Sequence, residues 1–398
     1  MRHCFFLFAL LWLAGCDPKT TSQPESSPLP PPPPPGMPVA AVPARPRGLA
    51  LADTAAPYTT LPGFGDTVQA PSQVRINGTL YRLETTILTD SARTLRYTES
   101  PTAQPGGSMS VGDSAQTGTA TGFEVLYRFR LLRPNGQPLF VRELRKSSFA
   151  AAMGQELAVI AEANAPVFSG YLPAFNALAF EISLYPPDSD AGGELLVLLH
   201  ATTGRVLYQG LARWTGGCNS PAVLSNDGRT LLTSTEILQA NGHVTKIDNK
   251  AKREVAGTLL VNNQTVLVAY MPGYDNTGTR LPLQGPNAEL MDLNGRKLAA
   301  FKLESVDGGL GYQMLSKYVG QTRSHYLFDE TNGRLGVFPA QNPVSARVLA
   351  LSQQPVFRAP QRPAEVRIDF TTETGTQATF YIDTVSGGIR HRLYRPAY

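Results

Sequence analysis

The chain has 398 residues, of which 35 are Lys or Arg, 31 are Asp or Glu and only three are Cys. The formal net charge of +4 is too small to indicate a surface for nucleic acid, so no nucleic-acid partner is expected. After the N terminus, no segment approaches the roughly eighteen consecutive apolar residues of a transmembrane helix, so no later membrane crossing is expected.

The N terminus has the layout of a secretory signal peptide. Residues 1–3 form a basic start, and Cys4–Leu13 are uniformly apolar, a run too short for permanent spanning. The closing sequence Leu13-Ala14-Gly15-Cys16 resembles the lipobox of bacterial lipoproteins. The resemblance implies that residues 1–15 are removed and that Cys16 carries a diacylglycerol thioether, usually with a third acyl chain. Two or three acyl chains hold a protein on a membrane essentially permanently.

Residues 16–73 are predicted to be a lipidated, Pro-rich and disordered tether. The unbroken run Pro30–Pro35 and the prolines around it fix φ and remove backbone donors, which favours extended polyproline II. At about 3.1 Å per residue, residues 28–46 extend on the order of 60 Å. We interpret this stretch as a semi-rigid spacer that lifts the folded body off the membrane, rather than as a leader without a role.

Residues 74–398 are predicted to form an all-β body with one short helical insertion. Short β-branched and aromatic runs alternate with turn pairs of the kind that favours tight hairpins. Seven such pairs recur: Asn77-Gly78, Asn135-Gly136, Thr203-Gly204, Asn241-Gly242, Asn294-Gly295, Asn332-Gly333 and Ser386-Gly387. Recurrence at intervals of about 40–50 residues is typical of four-stranded propeller blades.

Local sequences agree with a propeller. The segments 290–295, 327–333 and 381–387 share an apolar pair, an aspartate and a glycine turn, which predicts hairpins at equivalent positions of successive blades. Residues 225–231 look like the turn between the two inner strands of a blade. These segments resemble bacterial propeller repeats in general and no named family. The alternative is a small α+β module over residues 74 to about 210, followed by a β-meander or partial propeller.

Residues 146–164 interrupt the β pattern. Phe149, Met153, Leu157 and Ile160 have helical spacing, which predicts a helix of about four turns interrupted at Gly154.

The sequence has none of the familiar catalytic or metal-binding motifs, so no catalytic residue, cofactor-binding residue, cofactor or metal ligand is predicted. Cys4 leaves with the signal and Cys16 carries lipid, so Cys218 has no cysteine partner within the mature chain. In a propeller its segment would cross between blades near the central channel, which makes Cys218 a channel candidate. A buried structural thiol is the plainer interpretation, because a nucleophile needs a lowered pKa.

A short pattern suggests modification. Five sites read Asp, hydroxyl residue, small or aliphatic residue, and resemble the O-glycosylation signal of exported Bacteroidetes proteins. The four in linker or loop-like sequence predict glycans on Thr54, Thr67, Ser91 and Ser114, while Asp383 already belongs to a turn. This resemblance favours the outer membrane, whereas Asp17 after Cys16 resembles the inner-membrane retention signal of enteric bacteria.

These features predict an exported lipoprotein that acts as a non-catalytic ligand- or partner-binding protein, or assembly protein, of the cell envelope. Its expected partners are membrane lipid, through Cys16, and a protein or glycan. The first alternative is a surface hydrolase or lyase acting on polysaccharide or peptide, with dispersed carboxylates that no local motif reveals. A structural envelope protein without a small ligand is the other.

Overall fold

The structure is a computed structural model. It describes residues 55–62, 73–98, 118–189, 192–214, 218, 220–247, 253–273, 279–282, 285–303, 314–358, 361–372 and 374–395. Residues 49–398 form one compact unit. The described residues of this unit form six antiparallel sheets, which we number I to VI along the chain. The predicted signal peptide and Cys16 lie outside the described residues.

The first strand, β1 (Tyr58–Thr60), belongs to sheet III. Sheet I contains, in spatial order, β2 (Gln73–Ile76), β3 (Thr79–Thr98), β4 (Thr119–Leu132) and β5 (Pro138–Arg145). Sheet II contains β6 (Glu162–Ala163) and β7 (Val167–Leu172), which both pair with β8 (Ala177–Tyr185), and then β9 (Gly193–His200) and β10 (Val206–Trp214).

In each of the remaining sheets, neighbouring strands follow one another in chain order. Sheet III contains β1, β11 (Val223–Ser225), β12 (Thr230–Leu232), β13 (Glu236–Gln239) and β14 (Val244–Lys246). Sheet IV contains β15 (Arg253–Asn262), β16 (Thr265–Pro272), β17 (Ala288–Asp292) and β18 (Lys297–Phe301). Sheet V contains β19 (Ser316–Val319), β20 (Ser324–Asp329), β21 (Arg334–Pro339) and β22 (Arg347–Ala350). Sheet VI contains β23 (Glu365–Thr371), β24 (Gln377–Asp383) and β25 (Ile389–Tyr394).

The hydrophobic core lies between consecutive sheets. Separate clusters of buried side chains join sheets I and II, II and III, III and IV, IV and V, and V and VI. The sequence of sheet II explains why it has a core on both faces. The run Leu195–Leu199 is continuously apolar, so both faces of β9 carry apolar side chains. Leu195 packs in the cluster with sheet I, and Leu196 packs in the cluster with sheet III. Sheets that stack face to face in chain order confirm the all-β, propeller-like prediction.

The helical insertion is shorter than the predicted four-turn helix. A 3₁₀ turn at Lys146–Phe149 is followed by α1 (Ala150–Met153) and α2 (Gln155–Ile160). Gly154 separates the two helices with φ of +89° and ψ of 151°, a conformation that an L side chain rarely adopts. Phe149 and Met153 are buried in the cluster between sheets I and II, so the insertion is held by packing.

All seven predicted turn pairs connect neighbouring antiparallel strands, and their glycines have φ between +58° and +89°. The prediction that the last three occupy equivalent positions is wrong. The turn at Gly295 joins the third and fourth strands of sheet IV, whereas those at Gly333 and Gly387 join second and third strands. An Asn-Gly or Ser-Gly pair suits the turn of any tight hairpin. The pair therefore predicts a hairpin, but it does not predict which two strands of a sheet the hairpin joins. Residues 225–230 do form a turn between two neighbouring strands, β11 and β12 of sheet III, as predicted.

Two predicted boundaries are corrected. Tyr58–Thr60 form a strand and Leu61 is 5% exposed, so the tether predicted over residues 16–73 is not a tether at this point. Gly210 lies inside β10, paired with Leu196, and sheet II shares a core with the sheets on either side. The sub-boundary near residue 210 and the separate α+β module are therefore not observed.

Candidate functional site

The N-terminal strand β1 lies against β11 in sheet III. β1 pairs antiparallel with β11, from Tyr58 with Ser225 to Thr60 with Val223. The Leu61 N–H donates to the carbonyl of Ala222 at 2.9 Å, and the side chain of Leu61 packs in the cluster between sheets II and III. This short segment thus covers the edge of β11 opposite to the edge that pairs with β12.

A cavity of about 170 Å³ lies beside β1, among residues in or next to β11, β15 and β19. Its lining is Tyr58, Thr60, Ser220, Pro221, Val223, Thr258, Leu259, Leu260, Met314 and Ser316. None of these ten side chains is charged at neutral pH. The cavity therefore offers hydroxyl groups and apolar surface, and its lining includes no carboxylate and no imidazole.

His325 is buried beside this cavity. Its Nε2 lies 3.0 Å from the carbonyl oxygen of Val261, so Nε2 carries the proton and donates. Its ring lies parallel to that of Tyr58, with centroids 6.1 Å apart, and contacts Tyr318 at 4.9 Å. Burial lowers the pKa of His325 to about 4. The imidazole is therefore neutral at pH 7 and acts in packing.

The free energy of unfolding is expected to fall on acidification because of His325. The unfolded chain binds a proton here with a pKa near 6.5, whereas the folded chain does so only near 4. Protonation between these values favours the unfolded state, with a loss on the order of 3 kcal/mol from pH 7 to pH 4. Chemical denaturation of wild type and His325→Phe at both pH values measures this. The variant should lose less stability, and the exposed His243→Ala control should behave as wild type.

Cys218 is buried in the cluster between sheets III and IV. Burial raises the pKa of its thiol, and contacts with Ser220 and Thr258 offset part of that effect. Neither partner is a histidine, and a protonated thiol is a poor nucleophile. Ser220, two residues on, lines the 170 Å³ cavity beside β1. The thiol of Cys218 itself lies in the core, and the role of Cys218 as a channel candidate stays a prediction.

A larger cavity of about 540 Å³ opens among the turns of sheets II, III and IV. We call it the turn cleft, and its lining is Ala174, Asp227, Arg229, Thr230, Gln239, Ala240, Asn241, Asn263, Gln264 and Leu293. The size is within the range of small-molecule sites. Four of the ten lining side chains are amides, and the only charged ones are Asp227 and Arg229.

Some polar side chains of the turn cleft form hydrogen bonds within the described part of the protein, and others do not. Oδ1 of Asp227 accepts from the hydroxyl of Ser225 at 2.6 Å and from the N–H of Arg229 at 3.1 Å, so this carboxylate shapes the turn. Among the described residues, no contact engages the guanidinium of Arg229 or the side-chain amides of Asn263 and Gln264. The cleft therefore presents the planar guanidinium of Arg229, which only donates hydrogen bonds, beside the neutral amides of Asn263 and Gln264, which both donate and accept.

The other predicted site residues are placed as follows. Ser91 is exposed in β3, where its hydroxyl is accessible to modification. Cys16, Thr54, Thr67 and Ser114 lie outside the described residues. Where side chains are described, no group of three or more His, Cys, Asp and Glu lies close enough to hold a metal ion. No helix in the described part of the chain is long and apolar enough to cross a membrane.

Sequence reasoning missed the turn cleft. The motif Ser225–Arg229 was identified only as a turn, which it is, but the turn also carries Arg229 into the cleft. Asn263 and Gln264 belong to another turn, between β15 and β16, and lie far from Arg229 in sequence. Exposed amides without internal partners would have been a signal, but sequence alone does not show which turns meet.

No family model matches this chain, and no curated protein matches its sequence. Solved structures with partial similarity include the dihydro-heme d1 dehydrogenase NirN in complex with DHE, at 12% identity and a TM-score of 0.29. That match covers 68% of this chain, which spans only 55% of NirN. The periplasmic gluconolactonase PpgL of Pseudomonas aeruginosa has 12% identity and a TM-score of 0.28, over 78% of this chain and 83% of PpgL. BamB from Moraxella catarrhalis has 13% identity and a TM-score of 0.19, over 69% of this chain and 80% of BamB. Similarity at this level assigns neither family nor function, and the fold assignment rests on the sheets themselves.

Proposed function

We propose that this chain is a non-catalytic binding protein of the cell envelope that takes an acidic saccharide in the turn cleft. The observation that carries the proposal is the Arg229 guanidinium, which has no partner among the described residues. It stands in a cleft lined by four amide side chains, by uncharged residues and by Asp227, whose Oδ1 is engaged within its own turn. A guanidinium pairs with a carboxylate through two parallel hydrogen bonds, and amides of Asn263 and Gln264 suit sugar hydroxyls.

The predicted lipid anchor supports a role at the envelope. The Leu13–Cys16 lipobox and the Pro-rich segment after it would hold the body near a membrane surface. We place the protein on an exported face, with the outer membrane favoured by the Ser91-type modification motifs. An anchored body with an open polar cleft suits capture of a soluble or surface-linked glycan.

The hydrolase alternative receives no support from the turn cleft. Glycoside hydrolysis in most families uses two carboxyl groups about 5–10 Å apart. Asp227 is the only carboxylate among the lining residues, and one of its oxygens is held by Ser225 and Arg229. Binding without turnover is therefore the function that this geometry favours.

Isothermal titration of the mature chain with matched acidic and neutral oligosaccharides tests the proposal. The acidic ligand should bind, and Arg229→Ala should weaken it roughly ten- to hundred-fold, because a charge-assisted contact is lost. Gln264→Ala should have a smaller effect in the same direction.

The matched control is Arg323→Asn, which removes another exposed arginine from a turn of sheet V. Asn tolerates the positive φ of 48° at that position, so the fold should be kept and binding should be unchanged. Failure of every acidic oligosaccharide to bind, or equal affinity for wild type and Arg229→Ala, would remove the basis of the proposal. Release of cleaved product would favour the enzyme instead.

A further inference from the structure

Sheet I carries the excess positive charge of the chain. Its described residues, 73–98 and 118–145, contain nine Arg, no Lys and four acids, which gives them a net charge of +5. Because the whole chain has a net charge of only +4, the rest of the chain is slightly acidic. A charge concentrated in this way on one sheet attracts anionic partners to that sheet.

One face of sheet I lies outside the hydrophobic core. Leu83 and Leu131 point into the cluster shared with sheet II, so the residues between them along each strand point to the opposite, outer face. Among the described residues, no core cluster joins that outer face to another sheet. The outer face exposes Leu80, Leu88 and Val141, at 40%, 41% and 52%. Arginines and exposed apolar side chains therefore share one surface.

A pocket of about 310 Å³ opens in sheet I where the β2–β3 and β4–β5 turns lie at the same end. Its lining includes Leu80, Tyr81, Arg82 and Arg133. Among the described residues, no contact engages the guanidinium of Arg133. Arg82 forms an ion pair with Glu84 at 2.9 Å, but Glu84 also pairs with Arg130, at 2.8 Å. One carboxylate thus serves two arginines, and the pocket keeps an excess of positive charge beside apolar surface.

We propose that the outer face of sheet I binds a membrane surface that contains anionic phospholipids, with one lipid phosphate in this pocket between Arg82 and Arg133. A guanidinium binds phosphate through two parallel hydrogen bonds. Leu80 lines the same pocket and would enter the interface beside the headgroup.

A membrane surface matches both properties of this face. Binding at the interface gains from the attraction of cationic side chains to anionic headgroups and also from burial of apolar side chains. A soluble anion would use the arginines and leave Leu88 and Val141 exposed. The predicted lipid on Cys16 would keep the face within reach of a bilayer. This site is separate from the turn cleft, so the proposal does not depend on saccharide binding there.

Vesicle co-sedimentation tests the proposal. The mature chain is produced without residues 1–15 and with Cys16→Ser, so that no acyl chain contributes to binding. It should bind vesicles of phosphatidylcholine and phosphatidylglycerol in equal parts, and bind much less to phosphatidylcholine alone. Added salt should weaken the binding because it screens exposed charges. Arg133→Asn should weaken it roughly five-fold, the contribution of one arginine near an anionic surface.

The matched control is again Arg323→Asn, which removes the same charge from a turn of sheet V and should bind as wild type does. Equal binding to both kinds of vesicle, or equal losses in Arg133→Asn and Arg323→Asn, would overturn the proposal. Complete release by glycerol phosphate at constant ionic strength would overturn it as well, since the pocket would then take a free phosphate ester.

Tryptophan fluorescence tests which face meets the membrane. Leu80→Trp should shift its emission to shorter wavelength on the phosphatidylglycerol vesicles, because the indole ring would enter the membrane interface. Val385→Trp, at a position 87% exposed in a turn of sheet VI, should keep its emission. The wild-type chain supplies the signal of Trp214 for subtraction. Unchanged emission of Leu80→Trp on vesicles that bind the protein would show that another surface is responsible.

Discussion

Cys16→Ala is expected to abolish fatty-acid labelling and to accumulate as a larger precursor. Cys16 carries the only thiol in the lipobox-like sequence. In the processing that this resemblance implies, removal of residues 1–15 would depend on prior attachment of lipid to Cys16. The variant would keep only the uncleaved apolar run Cys4–Leu13, which is short for stable spanning. Metabolic labelling with a clickable fatty acid, followed by detergent phase partitioning, measures both effects.

Cys218→Ala is the matched control. This second thiol is buried in the core between sheets III and IV, far from the lipobox. The Cys218→Ala protein should therefore label and partition as wild type does. Equal labelling of wild type and Cys16→Ala would refute the lipoprotein assignment and the envelope location inferred from it.

Leu61→Ala is expected to destabilise the fold by about 2–4 kcal/mol, the cost of truncating a buried leucine. Leu61 is 5% exposed and packs with Leu172 and Leu196 between sheets II and III. Its N–H also bonds to Ala222 beside β11. The truncation would leave a void next to the strand that β1 covers. Equilibrium unfolding in urea or guanidinium measures the change.

Leu29→Ala provides the control, since this leucine lies in the Pro-rich stretch and should leave stability unchanged. A protease of broad specificity should cleave before Tyr58 and leave β1 attached to the body. A stable fragment beginning near Gln73, together with a negligible effect of Leu61→Ala, would restore the longer tether of the sequence-based prediction.

Local sequence predicted the hairpins and the helical insertion better than their positions within the sheets. Each turn pair, such as Asn294-Gly295, lies in the turn of a hairpin in the structure, because the turn itself requires positive φ at the glycine. Gly154 likewise marks the break between the two short helices, although the spacing from Phe149 to Ile160 overstated their length. Packing against sheets I and II, rather than helical periodicity, holds Phe149, Met153 and Leu157 in place.

The sequence by itself determined the all-β class, the hairpins and the lipobox-like start, because each depends on residues within a few positions of one another. Only the tertiary structure decided the role of Tyr58–Leu61, since four residues between two prolines carry too weak a pattern and their partner is β11. It also decided that Arg229 and Gln264 share one cleft and that His325 is buried and neutral. Such features depend on which turns and strands meet across the stacked sheets, and long-range contacts of this kind leave no local trace in the chain.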